Sequence, residues 1–372
     1  MIQPLSRLAE AEERREVVRD AARKFLTGEW SLARLRRSVE GDGVADAPAL
    51  LRAMRALGGD DVASFGAETH HALPVAEFCT VMEETGYALA PTALLASVVG
   101  RMLLRDTGTG LSGSLPVLAH AEAERTTDPN RTTVTAVSTS SGHRLHGSKQ
   151  FVPYGMQADV LVLDAVQDDG TLALFVVAPT APEVTRTPLE LLDFSPCAEV
   201  ELCGVHVDAS ARLAAGETAA RLLSDALDLE TLGRCAELVG VGARVLDLAV
   251  EYAKQRVAFD RPIGSFQAVQ HKLVDLRGDV EVARALHQAA ADAGSARHER
   301  RAAVSMAAFA ALDGLRRVPE GALQIFGGIG TTWEHDIHFF VRRAATLCSF
   351  LGERSAHRET IAGHLAARGR RP

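Results

Sequence analysis

The order in which hydrophobic periodicities follow one another is the feature that most constrains the fold of this chain. Apolar residues recur at helical spacing up to about residue 108, strand-like runs begin at about residue 115, and helical spacing returns from about residue 218. Helices, then strands, then helices predict an α+β chain rather than the strand–helix alternation of a dinucleotide-binding fold. We therefore expect a helical domain at 1–112, a β domain at 113–217 and a second helical domain at 218–372.

Individual elements can be placed within this outline. Helices are expected at 9–26, 49–57, 76–89 and 94–104, and strands at 132–137, 160–163, 172–177 and 199–202. The adjacent carboxylates Glu83 and Glu84 fall in the third helix, where general acid/base work is one interpretation. We favour a solvated helix face, because charged residues at helical spacing usually face water.

Composition excludes several classes of partner and site. A net charge of -8 argues against nucleic acid. The chain has no apolar run of the ~18 residues that a membrane span needs and no signal-peptide pattern at its start. The pair His335 and His338 has no evident third ligand, so we expect no metal site. The cysteines are odd in number and scattered, which indicates reduced core thiols in a cytoplasmic soluble protein: Cys79, Cys197, Cys203, Cys235 and Cys348.

The stretch 252–273 carries the most specific local signal. A helix is expected to run into Arg256, to stop at the turn 261–264 and to be followed by a helix with Ser265 as its N-cap. Arg256 and Phe259 would then lie together at an inter-helix corner. A guanidinium binds phosphate in a fork and an aromatic ring stacks on flat groups, so the pair suits a phosphate beside a flat ring. A solvated arginine beside a core phenylalanine is the alternative.

This stretch resembles the C-terminal helical domain of the acyl-CoA dehydrogenases, in which an Arg-x-x-Phe pair ahead of a Gly turn and a Gln-rich helix contacts FAD across the dimer interface. The segment 324–330 is similar to the family's Gln-x-x-Gly-Gly-x-Gly segment, which approaches the same FAD. The resemblance implies an N-terminal all-α domain, a middle β-barrel and a C-terminal four-helix bundle. It also implies a set of FAD-binding residues: Arg256, Phe259, Gln267, Gln324, Gly327, Gly328 and, over the flavin ring, Phe151.

The family's usual catalytic base is missing from this sequence. In most members a glutamate precedes a Gly-Thr pair near the C-terminus, and here Leu351 falls at that position, two residues before Glu353. One branch, the isovaleryl-CoA dehydrogenases, carries its base on the long helix ahead of the Arg-x-x-Phe pair. The matching position here is Glu230. The resemblance therefore implies Glu230 as the base, with Glu353 as second choice and a surface helix glutamate as the alternative.

The middle domain departs from the family pattern. The family's glycine-rich Thr-Glu-Pro-Gly-Ala-Gly-Ser-Asp loop corresponds to 119–128, which has no glycine. Its Trp-Ile-Thr segment becomes 151–153, where Pro153 offers neither a hydroxyl nor an N–H. An intact cross-interface half-site beside an altered flavin-ring half-site resembles family members built as α2β2 heterotetramers, in which some half-sites are vacant.

The function implied by the resemblance is α,β-dehydrogenation of an acyl-CoA or a carrier-bound acyl thioester. Glu230 would take the α-proton, FAD N5 the β-hydride, and an electron-transfer flavoprotein would reoxidise FAD in a homo- or hetero-oligomer, a dimer or dimer of dimers. Two alternatives stay open: a non-catalytic partner subunit of a heteromeric enzyme, and a flavin monooxygenase on the same fold.

Overall fold

The computed structural model of the protein describes residues 5–41, 47–56, 61–62, 65, 73–105, 113–122, 132–294 and 296–369. Eleven helices are described: α1 Leu5–Glu29, α2 Leu32–Glu40, α3 Ala47–Ala56, α4 Val75–Ala88, α5 Leu94–Leu104, α6 Gly216–Gln255, α7 Gln267–Ala291, α8 Arg297–Ala310, α9 Arg317–Phe326, α10 Ile337–Phe350 and α11 Arg354–Gly369. Ten strands are described: β1 Pro116–Ala119, β2 Thr135–Ser138, β3 Gly142–Pro153, β4 Val160–Gln167, β5 Leu172–Val177, β6 Val184–Leu189, β7 Cys197–Asp208, β8 Arg212–Ala215, β9 Val257–Ala258 and β10 Arg261–Pro262.

The chain divides into two compact units. The first combines 1–43, 63–91 and 231–372, and the second combines 44–62 and 92–230. The three-domain division at 1–112, 113–217 and 218–372 follows the type of secondary structure and stays a prediction.

The first unit is helical: its hydrophobic core joins α6 to α7, α9 and α10, and α4 crosses α6 at close range. A Cβ on Gly240 would lie 1.8 Å from the backbone oxygen of Glu83, and one on Gly86 would lie 2.0 Å from that of Glu237. Glycine is therefore required at both positions, because the two helix backbones approach too closely for a side chain. Leu89 in left-handed conformation (φ 50°) ends α4, and the amide of Ala90 donates to the oxygen of Thr85.

The second unit is built around one mixed sheet with the strand order β6-β7-β3-β2-β4-β5-β8, in which β1 pairs with β4 in parallel. The antiparallel pair β3–β7 is its longest ladder, and its register shifts between Lys149 and Val152. A Cβ on Gly100 of α5 would lie 2.3 Å from the backbone oxygen of Pro116, so α5 packs directly on the start of β1.

Two expectations about polar and thiol side chains were wrong. Glu83 and Glu84 are 6% and 2% exposed and do not form a solvated face. Arg23 of α1 donates to Glu84 at 2.8 Å, and Arg284 of α7 donates to Glu83 at 3.0 Å. Burial of α4 is possible because distant helices supply these cations, which local periodicity does not show. Among the five free cysteines, Cys203 is exposed rather than in the core, and the other four are buried.

In the part of the chain that the structure describes, no helix has the length and hydropathy needed to cross a bilayer.

Candidate functional site

The corner between α6 and α7 is a tight hairpin rather than a simple turn. After α6 ends at Gln255, strands β9 and β10 pair antiparallel, and Phe259 and Asp260 form the two-residue loop between them. Both loop residues have positive φ, 54° and 60°. Such hairpin loops favour Asn-Gly, because left-handed backbone costs other residues about 1–2 kcal/mol each. The tip therefore carries backbone strain at two non-glycine residues, and strain of this kind clusters at binding and catalytic sites.

This loop projects the Phe259 ring into solvent. Phe259 is 89% exposed, so the alternative of a core phenylalanine is wrong. The ring meets only the edge of Phe266 at 6.2 Å among the described aromatic side chains. Arg256, the residue directly after α6, is also exposed. An exposed ring and an exposed guanidinium three residues apart can meet a flat, phosphorylated ligand without any rearrangement of the core.

The start of α7 differs from the prediction. Phe266 occupies the N-cap position and α7 begins at Gln267, so Ser265 is not the N-cap. The Ser265 hydroxyl instead donates to the oxygen of Pro262 at 2.7 Å and closes the turn after β10. Gln267 lies exposed in the first turn of α7, on the same corner.

The second motif is the segment that ends α9. Gly327 adopts φ 64° and ψ −143°, which terminates the helix after Phe326. A Cβ on Gly327 or Gly328 would meet no described atom within 4 Å, whereas a Cβ on Gly330 would lie 2.9 Å from Phe326. Packing therefore explains Gly330, and backbone conformation explains Gly327. At Gly328 the surrounding protein imposes no steric requirement for glycine, so the bare backbone there leaves room for an incoming group.

Both motifs lie at the same end of the first unit. Tyr252, one turn before the end of α6, contacts Phe326 with ring centroids 4.9 Å apart, and Phe326 directly precedes Gly327. Gln324 lies exposed on the last turn of α9. A guanidinium, an exposed ring, an amide side chain and open glycine backbone therefore lie at one end of the unit. These groups fit the ring and phosphate moieties of a flavin dinucleotide.

The two candidate bases are placed differently. Glu230 lies half-buried on α6. Four residues later on that helix, Arg234 is 9% exposed and its guanidinium stacks over the ring of Phe350 at 4.2 Å. Leu351, at the position of the family's usual base, is 2% exposed and apolar. Glu353 is exposed, and its carboxylate accepts a hydrogen bond from Ser355 at 2.9 Å at the start of α11.

Phe151 lies at the irregular end of β3. It is half-buried with φ 52°, next to the register shift in the β3–β7 ladder, and Pro153 closes the strand opposite Cys197. Positive φ at a bulky residue is unusual and re-aims the side chain relative to a regular strand. Phe151 therefore keeps an aromatic ring at this end of β3, and Pro153 contributes no hydrogen-bond donor there.

A buried network of charged side chains around Lys149 of β3 was not predicted from the sequence. Lys149 is 0% exposed, and its ammonium donates to Glu122 at 2.7 Å, to Thr132 at 2.9 Å and to Asp164 at 3.1 Å. Asp164 also contacts Nδ1 of His120 at 3.0 Å. A charged residue inside the apolar run of β4 was the available signal, since an aspartate is rarely buried without a partner.

The hydrogen bonds of this network control the ionisation of its carboxylates. Burial favours a higher pKa for Glu122, but hydrogen bonds from Lys149, Thr133 and Thr132 outweigh it and lower the pKa to about 2. Burial also opposes the charge on Asp164, and the neighbouring His120 and Lys149 lower the pKa of Asp164.

Comparisons with known protein sequences match acyl-CoA dehydrogenases. A family model described as the C-terminal domain of acyl-CoA dehydrogenases matches residues 220–366. Acyl-CoA dehydrogenase IpdE2 of Mycolicibacterium smegmatis is 30% identical over 279 residues, 75% of each chain. Acyl-CoA dehydrogenase FadE27 of Mycobacterium tuberculosis is 34% identical over 241 residues, and the chain spans 63% of its length.

Solved structures match over nearly the whole chain. A chain of the ChsE4-ChsE5 complex from Mycobacterium tuberculosis superposes with a TM-score of 0.83 at 28% identity, covering 97% of this chain and 98% of that chain. A chain of a Tcur3481-Tcur3483 steroid ACAD variant gives a TM-score of 0.80 at 25% identity, covering 96% and 99%. These matches confirm the predicted α+β fold class, with N-terminal helices, a mixed sheet and C-terminal helices.

Proposed function

The chain belongs to the acyl-CoA dehydrogenase family, and from this premise we propose that it catalyses the α,β-dehydrogenation of an acyl thioester with FAD as its cofactor. The observation that carries the proposal is the pairing of two surface features at one end of the first unit. The solvent-exposed ring of Phe259 projects from a strained hairpin, and the open backbone at Gly327 and Gly328 lies at the same end. Neither feature serves the core, and both suit the family's FAD.

The proposed FAD contacts follow from the chemistry of each group. Arg256 offers a forked cation to the pyrophosphate, and the backbone at Gly327 and Gly328, which carries no side chain, allows close approach of the phosphates. Phe259 offers a flat apolar face. Side-chain amides complete the set at Gln267 and Gln324, and Phe151 covers the flavin ring in the chain's own half-site.

Glu230 is the proposed base. Forming a double bond between Cα and Cβ of the thioester requires one proton to leave Cα and one hydride to leave Cβ. The bound flavin supplies the acceptor for the hydride. The carboxylate of Glu230 takes the α-proton, because the position of the family's usual base holds the apolar side chain of Leu351.

We further propose that the chain works in the cytoplasm as one of two unlike subunits, with an electron-transfer flavoprotein reoxidising the flavin. One solved relative is the ChsE4-ChsE5 complex, and another, Tcur3481-Tcur3483, is named for two components. The lack of a donor at Pro153 supports the same assembly, because a partner would complete a flavin-ring site that this chain builds weakly. The same observation favours the second candidate function, a non-catalytic partner subunit.

A matched pair of variants tests the base. Glu230→Gln should keep its flavin and slow anaerobic bleaching by acyl-CoA by roughly 10²–10⁴-fold, the usual contribution of a general base. Glu251→Gln, at an exposed position on the same helix, should bleach at the wild-type rate. Butyryl-, octanoyl- and steroid side-chain acyl-CoA thioesters would serve as substrates. Wild-type bleaching by Glu230→Gln would exclude Glu230 and direct attention to Glu353.

A further inference from the structure

We propose that α2 fixes the position of the cofactor-binding segment Gly327–Thr331, through a polar contact between Glu40 and Trp333. This inference rests on the proposed FAD site and adds two positioning residues, Glu40 and Trp333, neither of which would touch the reacting atoms. It predicts that breaking the contact weakens FAD binding while leaving the fold intact.

The contact joins two elements far apart in sequence. Nε1 of Trp333 donates to a carboxylate oxygen of Glu40 at 2.8 Å, and Arg36 donates to the same oxygen at 3.2 Å. Arg36 also pairs with Asp336 at 2.7 Å. The end of α2 therefore contacts the chain just after Gly327–Thr331 at two residues. Trp333 supplies a neutral donor to Glu40, and Asp336 supplies a carboxylate to Arg36.

A stacking contact also fixes the face of the Trp333 ring. It stacks on His338 with centroids 4.5 Å apart and planes 19° apart, and the His338 ring is bonded to the backbone oxygen of Trp333 at 3.2 Å. Burial lowers the pKa of His338, which favours a neutral ring in this stack. Trp333 thus has its indole N–H, its ring face and its carbonyl all fixed.

The segment Gly327–Thr331 is a short 3₁₀ helix, and threonine hydroxyls at its end bond to its backbone oxygens. Thr331 Oγ1 donates to the oxygen of Gly328 at 2.9 Å, and Thr332 Oγ1 donates to that of Ile329 at 3.1 Å. At the other end, Phe326 contacts the ring of His335 with centroids 4.7 Å apart. The open backbone at Gly328 is therefore supported on both sides, so a shift of Trp333 would move the glycine backbone that we assign to phosphate contact.

The helix α2 has an independent anchor that makes the contact testable. Leu32, Leu35 and Val39 pack against the hydrophobic core of the first unit. Glu40 and Trp333 are both exposed, with Trp333 at 42%. Replacing either residue should therefore leave α2 in place and change only the position of the segment Gly327–Thr331.

The experiment is a double-mutant cycle on FAD affinity. Glu40→Ala, Trp333→Phe and the double variant would be prepared as the holoprotein, together with its partner subunit if the flavin requires one, then stripped and titrated with FAD. Each single variant should bind FAD roughly tenfold more weakly, comparable to the loss of one charged hydrogen bond. The double variant should be no weaker than either single variant. Glu40→Gln keeps an acceptor for Nε1 and should restore most of the affinity.

Controls separate this inference from the proposed function. Arg37→Gln, at an exposed position on α2, should bind FAD like the wild type. Thermal unfolding should be the same for all variants. If the wild type binds FAD and the single variants bind it equally well, or if their effects multiply in the double variant, the positioning role is wrong while the FAD site stands. If the wild type assembly binds no FAD, the proposed function falls and this inference falls with it.

Discussion

The ammonium of Lys149 lies 2.7 Å from a carboxylate oxygen of Glu122, and the lysine side chain has no exposed surface. A carboxylate oxygen of Asp164, also 0% exposed, lies 3.1 Å from the same ammonium. A cation between two carboxylates is the arrangement that allows charges to remain inside a sheet, because each charge is compensated and hydrogen-bonded. Lys149 lies on β3, two residues before Phe151, so the network supports the end of the strand to which we assign flavin-ring contact.

Removing the ammonium should destabilise the protein strongly. Lys149→Met leaves Glu122 and Asp164 buried without their cation, and breaking a buried pair in this way costs about 3–5 kcal/mol. Chemical denaturation followed by circular dichroism measures the change. Lys254→Met, which removes an exposed lysine paired with Glu251, should change stability by less than about 0.5 kcal/mol. Equal stabilities of the two variants would show that the ammonium of Lys149 does not stabilise the fold.

The same network predicts a loss of stability in acid. The pKa of Glu122 is lowered in the folded protein from 4.5 to about 2. A carboxyl whose folded pKa lies below its unfolded pKa contributes stability that is complete above the unfolded value and is lost as pH falls through the folded value. The difference in free energy of unfolding between wild type and Glu122→Gln should therefore shrink from pH 5 toward pH 2. Using the difference removes the opposite contribution of Glu84, whose pKa burial raises. A constant difference would show that the carboxylate charge of Glu122 is not what stabilises the fold.

The α4–α6 crossing should reject any side chain. Gly240→Ala places a methyl group 1.8 Å from the backbone oxygen of Glu83, which cannot move without displacing α4. We expect a loss of roughly 1–3 kcal/mol or failure to fold. Gly278→Ala on α7 is the matched control, because its methyl meets no described atom within 4 Å and alanine favours the helix by about 1 kcal/mol. Thermal melts of the pair should move in opposite directions, and a stable Gly240→Ala variant would contradict the described crossing.

The hairpin tip should separate stability from cofactor binding. Phe259→Gly removes an exposed ring and relieves left-handed strain at φ 54°, so the fold should become more stable by about 1 kcal/mol while flavin retention falls. Asp260→Gly relieves the neighbouring strain at φ 60° and keeps the ring, so it should gain stability and keep flavin. Melting temperature and flavin per chain measure both effects. Full flavin retention by Phe259→Gly would exclude the ring from the site.

Regular elements could be predicted where the hydrophobic pattern was long and uninterrupted. The helix predicted at 94–104 coincides with α5, and the strand predicted at 172–177 coincides with β5. The helix α2 was missed because it is short and contains three arginines, and its start depends on a cap in which the Arg34 amide donates to Ser31. The strand β3 was missed because Gly147, Ser148 and Lys149 interrupt its alternation, and the partners that make it a strand lie on β7.

The candidate site was predictable as motifs but not as geometry. The helix pattern and the turn at 261–264 pointed to Arg256 and Phe259, resemblance located Gly327–Gly328, and the structure brings them to one end of the unit through the Tyr252–Phe326 contact. The positive φ at Phe259 depends on pairing of two-residue strands, which no periodicity reports. The Glu40–Trp333 contact spans 293 residues of sequence, and a hydrogen bond between such distant side chains leaves no local pattern.

The most direct test is an anaerobic titration of the purified protein with acyl-CoA, followed in the visible spectrum. Our account predicts a yellow protein, as expressed alone or with an unlike partner subunit, whose flavin absorbance is bleached by at least one acyl-CoA thioester. A protein that stays colourless in both preparations, or a yellow one that no acyl-CoA bleaches, would contradict the proposal that this chain acts in FAD-dependent dehydrogenation.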